Sequence, residues 1–331
     1  MNSRLLFPLK VAFGLTVLAV LVWRIGPAEI SGVLRDVEWR FVWYALAVQA
    51  VAKAVWAIRW QLVLRACNVE RSFTELLGLV HVGLFFNTFL PSSIGGDAVR
   101  GYYASNSKQN LAASYGALIV ERLIGLVILA ALCAVASISA IVLGLDLPQQ
   151  VLLASAVVSL GVCVAAPVLL LGNLLARPMA MVASRFPRVG RLVAELTSGW
   201  SVLRQSRALL AGVCAASAAL QVLAIFFYVV CAWALKIDIS WVTFFVVVPI
   251  SVVASMLPVS LNGLGLREGV FVALLYEQGV ELAVAGAFSL LALVLATVFS
   301  VIGGFVYMFW RPVRDSDTSV TLAKTADGEA P

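Results

Sequence analysis

The chain is poor in the groups that most enzymes use. It has one histidine, His81, and only 12% of its 331 residues are charged, against roughly 25% in soluble domains. A single imidazole gives acid–base catalysis little to draw on. A lone His in an apolar run, with no second His or Cys beside it, is also a poor metal ligand. Of the five cysteines, Cys133, Cys163, Cys214 and Cys231 lie in apolar runs and Cys67 lies outside them; none forms a CxxC pair. They read as small buried hydrophobes. There is no Walker loop, GxSxG elbow, HExxH or Asp-rich metal motif. No catalytic residue, metal or cofactor is therefore expected.

Apolar sequence is abundant: 62% of residues are hydrophobic. Runs of 18 or more apolar residues with few charges can span a bilayer. Helical spans are predicted at about 8–24, 41–59, 73–90, 113–143, 150–173, 208–235, 240–257 and 282–310. No run alternates as a barrel strand does, so the fold class is all-α and polytopic. Arg4 and Lys10 precede an apolar stretch, Val11–Trp23, with no small-x-small cleavage site after it. It reads as a retained first helix. The net charge of +6 resides between the apolar runs, which suits membrane orientation and anionic lipid and argues against nucleic acid as a partner.

Loop arginines set the orientation. The 174–207 connection carries Arg177, Arg185, Arg188, Arg191, Arg204 and Arg207 against Glu195, and loop 60–72 carries Arg65 and Arg71. Both are expected inside, with both termini. The links near Asp146 and Glu277–Glu281 lack positive charge and are expected outside. Loop 24–40 then falls outside with Arg24, Arg35 and Arg40, accompanied by Glu29, Asp36 and Glu38.

Two segments resemble each other at a constant offset of 167 residues: Leu90 with Leu257, Pro91 with Pro258, Ser93 with Ser260, Gly96 with Gly263, and Arg100 with Arg267. Proline ends a helix, and Gly95, Gly96, Gly263 and Gly265 permit bends and close backbone approach. Each Leu-Pro is thus expected to close a half-helix at membrane depth. The loop charges make 73–110 and 240–280 re-entrant hairpins entering from opposite faces, the pattern of an inverted repeat. Irregular backbone there must be buried in protein or line a cavity. The restarting helices aim free N–H groups at it. Asn87, Ser92, Ser93, Ser260 and Asn262 add neutral polar groups, and Arg100 and Arg267 add charge suited to phosphate or carboxylate. The competing reading is that Pro and Gly shape tight packing while each Arg snorkels to an interface.

Glu121 and Arg122 lie inside the 113–143 run, where ionisable groups are costly and usually face a bundle interior. Glu121 is expected to pair with Arg100 or Arg267, and Arg122 with Asp97 or Glu268. Asp97 and Arg100, three apart, can also pair on one helix face. An interfacial Glu121–Arg122 pair is the alternative. Lys53 and Arg59 read as snorkelling anchors. Tyr102, Tyr103 and Trp23, Trp43, Trp56, Trp60 and Trp310 read as interfacial belts.

The stretch Phe86–Arg100, together with Glu121–Gly125 and Leu257–Glu268, resembles the signature of the lysylphosphatidylglycerol synthase transmembrane family, over roughly residues 10–310. The resemblance implies a membrane domain that moves lipids between leaflets. In fused members that domain flips aminoacylated phosphatidylglycerol made by a following cytosolic synthetase domain. After Trp310 this chain has only a polar tail, 311–331, expected to be disordered, so the synthase activity is not carried over. Stand-alone members are linked to polyprenyl-phosphate sugar and envelope pathways.

The expected architecture is one transmembrane domain, 1–310, in two halves (about 8–143 and 150–310). It has about six full transmembrane helices plus the two hairpins. The expected function is a bacterial inner-membrane flippase for an anionic or aminoacylated phospholipid, or a polyprenyl-phosphate lipid. Its head group would meet Asn87, Ser92, Ser93, Asp97, Arg100, Glu121, Arg122, Ser260, Asn262, Arg267 and Glu268 in a cavity shaped by Pro91, Gly95, Gly96, Pro258, Gly263 and Gly265. Expected partners are membrane lipids and a separately encoded synthetase or glycosyltransferase. Two other readings stand beside this one: a membrane glycosyl or aminoacyl transferase using Asp97, Glu121 or Glu268, and a non-transporting accessory subunit.

Overall fold

Glycine and proline open helix α1 (Pro27–Arg35). Residues 18–25 are helical, Gly26 turns the chain at φ +102°, and Pro27 starts α1. Proline suits a first helical turn because its missing N–H would be unpaired there anyway. The computed structural model describes residues 16, 18–89, 95–105, 110–144, 148–170, 206–256 and 263–310, and every regular element among them is a helix. Pro91, Ser92, Ser93, Pro258, Ser260 and Asn262 lie outside the described residues, as do most of the 174–207 connection and the 311–331 tail.

After α1 come α2 (Trp39–Ala66), α3 (Phe73–Phe89), α4 (Gly95–Ala104), α5 (Leu111–Val142), α6 (Gln149–Leu170), α7 (Arg207–Ala234), α8 (Trp241–Ser255), α9 (Leu266–Tyr276) and α10 (Leu282–Phe309). Local chemistry fixes several starts. Ser72 Oγ accepts from Glu75 N at 3.3 Å while the Glu75 carboxylate accepts from Ser72 N at 3.0 Å, a reciprocal cap for α3. Ser206 and Ser240 cap α7 and α8 in the simpler one-way manner.

Two expectations are corrected. The 24–40 loop contains helix α1. The second span does not stop at 59 but continues to Ala66, because Arg59 and Trp60 turn inward and nothing breaks the helix before Asn68, at φ +54°.

Among the described residues four helices, α2, α5, α7 and α10, are long and apolar enough to cross a bilayer. At 1.5 Å per residue the three of 28 residues are about 42 Å long, more than the roughly 30 Å hydrocarbon core, so they have length to tilt. The segments 73–110 and 240–280 each hold a pair of shorter helices packed on one another, α3 on α4 and α8 on α9.

The offset of 167 residues reaches beyond the two motifs. It carries α2 to 206–233, over α7; α3 to 240–256, over α8; α4 to 262–271, overlapping α9; and α5 to 278–309, over α10. The packing repeats too: α3 lies on α10 as α8 lies on α5, α4 on α5 as α9 on α10, α2 on α3 as α7 on α8, while α2 and α7 pack on each other. Apart from Arg100 and Arg267, the buried charged chemistry does not repeat. Trp56, Arg59, Asp97, Glu121 and Arg122 correspond to Leu223, Phe226, Leu264, Phe288 and Ser289. The second half therefore has an apolar core built on Phe244, Phe271 and Phe288 where the first half places charge.

Candidate functional site

The charged cluster is assembled on three helices of the first half. α5 supplies Glu121 and Arg122, α4 supplies Asp97 and Arg100, and α2 supplies Trp56, Arg59 and Trp60. Glycine makes the approach possible. A Cβ at Gly96 would overlap the Gly83 carbonyl, and one at Gly83 would overlap the Arg100 stem, so α3 and α4 touch backbone to backbone. Asn87 Oδ1 accepts from Gly96 N at 2.8 Å and satisfies one of the free amides in the first turn of α4. At the other end of α4, Arg71 donates to the Ala104, Tyr103 and Ser105 carbonyls at 3.1, 3.3 and 3.4 Å. The short helix is held at both ends by side chains from outside it.

Glu121 is the hub. Its Oε1 accepts from Trp56 Nε1 and from Arg59 Nη2 at 2.5 Å, and its Oε2 accepts from Arg100 Nη2 at 3.3 Å. Arg100 Nη1 also donates to Asp97 Oδ1 at 3.2 Å, and Asp97 Oδ2 pairs with Arg122. The Arg100 guanidinium lies 4.6 Å from the Trp56 ring and 4.1 Å from the Trp60 ring, within cation–π range. The side chains of Arg59, Arg100 and Glu121 are 7%, 2% and 3% exposed, whereas that of Arg122 is 49% exposed. The cluster is therefore dry at Glu121 and open at Arg122. Three arginines against two carboxylates leave it one positive charge in excess.

The pairing expectations resolve as Glu121 with Arg100 and Arg122 with Asp97. Arg267 and Glu268 instead pair with each other on α9. Arg267 Nε and Nη2 both donate to Glu268 Oε1, at 3.0 and 2.7 Å. Glu268 Oε2 accepts from Gly265 N at 2.7 Å, closing the start of α9. Gly263 and Gly265, at φ +79° and +77°, supply the left-handed turn that precedes it. Gly95 opens α4 and is half-buried. The two motifs rest on different neighbours: α4 on α3 and α5, α9 on α8 and α10.

Four readings of α2 are corrected. Arg59 is not a snorkelling anchor, because Glu121 draws it into the bundle. Trp60 is not in an interfacial belt; it is fully buried, and Trp56 turns inward to Glu121. Lys53 does not reach an interface either: it lies at the middle of α2 and bonds Gln49 Oε1 at 2.5 Å. The signal in the sequence was the spacing. Gln49, Lys53, Trp56 and Trp60 fall three or four apart and form one stripe on an otherwise apolar helix. Trp23 and Trp43, by contrast, are exposed as a belt requires. Among the described residues, no group of His, Cys, Asp and Glu side chains is arranged to hold a metal.

Long apolar helices with a charged cluster buried between them define a multi-pass membrane protein. The chain belongs to the lysylphosphatidylglycerol synthase transmembrane-region family, whose family model matches residues 9–304. It is also similar to UPF0104 membrane proteins of three archaea. The match is 25% identical over 122 residues for Pyrococcus horikoshii and 27% over 114 for Methanothermobacter thermautotrophicus. For Methanocaldococcus jannaschii it is 29% over 112. These alignments cover 36%, 34% and 33% of this chain and the same shares of the relatives, so the chain spans about a third of each relative's length. No solved structure matches the chain.

Proposed function

We propose that the protein moves an anionic lipid between the leaflets of a bacterial inner membrane, with both termini cytoplasmic. The cargo is an anionic or aminoacylated phospholipid or a polyprenyl-phosphate lipid, which share a phosphate in the head group. The observation that carries this reading is the Arg59–Glu121–Arg100–Asp97 network, buried between apolar helices and open at Arg122. Charge at that depth is expensive, and it usually marks a path for a polar substrate. Glycine-mediated contact of α3 with α4 seats Arg100, the last residue of the first motif, in this network. The matching frames of α2–α5 and α7–α10 fit two re-entrant hairpins in an inverted repeat that rock about a shared site.

The acidic groups argue for transport over group transfer. Asp97, Glu121 and Glu268 each accept from one or more cations. A general base with its lone pairs engaged by guanidinium is a weak one. The direct test is reconstitution into vesicles with a fluorescent anionic phospholipid and a membrane-impermeant quencher. Leaflet exchange well above that of protein-free vesicles is expected, slowed by Glu121→Gln. Exchange no faster than the protein-free rate would end the proposal.

A further inference from the structure

Arg59 has Glu121, Arg100 has Glu121 and Asp97, Arg122 has Asp97, and Arg267 has Glu268. Among the cations deep in the helices, Lys53 is the one with no carboxylate in ion-pair range among the described residues. It sits near the middle of α2, about 20 Å from either end at 1.5 Å per residue, beyond the reach of a snorkelling stem. Its Nζ lies 5.7 Å from the centroid of the Phe299 ring on α10. His81, on α3, packs against the same ring at 6.2 Å. A carbonyl can only accept, so His81 Nδ1 carries the proton donated to Leu77 O at 2.8 Å, and Nε2 is left as the second polar atom of the ring. Lys53 and His81 are both half-buried, so part of each side chain is accessible where α2, α3 and α10 meet.

We propose that Lys53, with His81 and Gln49 beside it, receives the phosphate of an anionic phospholipid head group where α2, α3 and α10 meet. This rests on the lipid-transport reading and sharpens it. Arg100 is 2% exposed and held by two carboxylates and two indoles, so it positions the wall. An ammonium in a low-dielectric interior needs a counter-anion, and Gln49 and Phe299 supply only dipole and quadrupole. In a bilayer the abundant anion with an apolar body is a lipid phosphate.

The test is binding, read separately from transport. The purified protein is placed in phosphatidylcholine nanodiscs containing phosphatidylglycerol, and retained lipid is counted by native mass spectrometry for wild type, Lys53→Met and Lys53→Arg. Wild type should retain phosphatidylglycerol over phosphatidylcholine. Lys53→Met should lower its affinity about 30-fold, the low end for removing one partner of a buried charge pair, and Lys53→Arg should keep most of it. Helical content and thermal midpoint confirm that each variant is folded; Lys53→Met takes the donor from Gln49 Oε1 but leaves no unpaired charge behind. Equal retention by wild type and Lys53→Met, or no anionic preference in wild type, overturns the inference. So does glycerophosphoglycerol, which has no acyl chains, binding as tightly as the intact lipid. Lys53-dependent binding without leaflet exchange supports this site and defeats only the transport reading. Exchange that ignores Lys53→Met does the reverse.

Discussion

Replacing Glu121 by Gln removes one charge and almost no volume. Three donors, from Trp56, Arg59 and Arg100, then meet a neutral amide. Arg100 keeps Asp97, but Arg59 loses the carboxylate it pairs with and its side chain is only 7% exposed. Breaking a buried ion pair by deleting one partner costs about 3–5 kcal/mol in soluble proteins. Polar contacts within membranes are worth less, because the unfolded chain in lipid also finds partners. An intermediate loss of about 2–4 kcal/mol is expected for Glu121→Gln. Arg59→Met alone should also destabilise. The double variant Glu121→Gln/Arg59→Met should lose less than the sum of the two, by about 1–3 kcal/mol, since the orphaned guanidinium is gone. Arg122→Gln gives the contrast: its side chain is 49% exposed, so its pair with Asp97 is worth under about 1 kcal/mol. Reversible unfolding in mixed micelles with rising dodecyl sulfate, followed by helical circular dichroism, measures all four variants. Additive effects of Glu121 and Arg59, or Glu121→Gln no more damaging than Arg122→Gln, would refute the hub.

Backbone contact makes two glycines irreplaceable. Gly96→Ala would drive a methyl into the Gly83 carbonyl and Gly303→Ala one into the His81 carbonyl, so each should cost about 1–3 kcal/mol in the same unfolding assay. Gly161→Ala, with nothing within 4 Å of the new methyl, should be neutral or stabilise by up to about 1 kcal/mol. Arg71→Ala removes donors from three carbonyls at the end of α4. Hydrogen exchange across 95–105 should rise several-fold while α7 is unchanged; equal exchange would show that Arg71 does not hold the helix.

Much of the frame was legible because its signals are local. The apolar runs placed α5, α7 and α10 within a few residues, and the Pro and Gly residues anticipated the breaks between α3 and α4 and between α8 and α9. The reading failed where a partner is distant in sequence. Arg59 looks the same in a single sequence whether it runs outward to a head group or inward to Glu121, 62 residues away. Trp60 has the same ambiguity, since an indole suits an interface and a core alike. Glu121 and Asp97 were identifiable because a carboxylate inside an apolar run has few other uses. Their partners were open until the packing of α4 on α3 set the depth of Arg100. Helix α1 was missed because its Pro and charges also describe a loop; Pro27 at its first turn was the signal available.

The members of the charged network all lie between Trp56 and Arg122, and none comes from α7–α10. That has a consequence for how the chain is made. A carboxylate entering lipid alone on a helix pays an insertion penalty of about 2.5–3.5 kcal/mol. Glu121 escapes it when α2 is already at hand to offer Arg59 and Trp56. Biogenesis should therefore have an order: α2 waits beside the insertion site until α5 arrives, the charges neutralise one another, and the apolar second half then docks onto a finished polar seam.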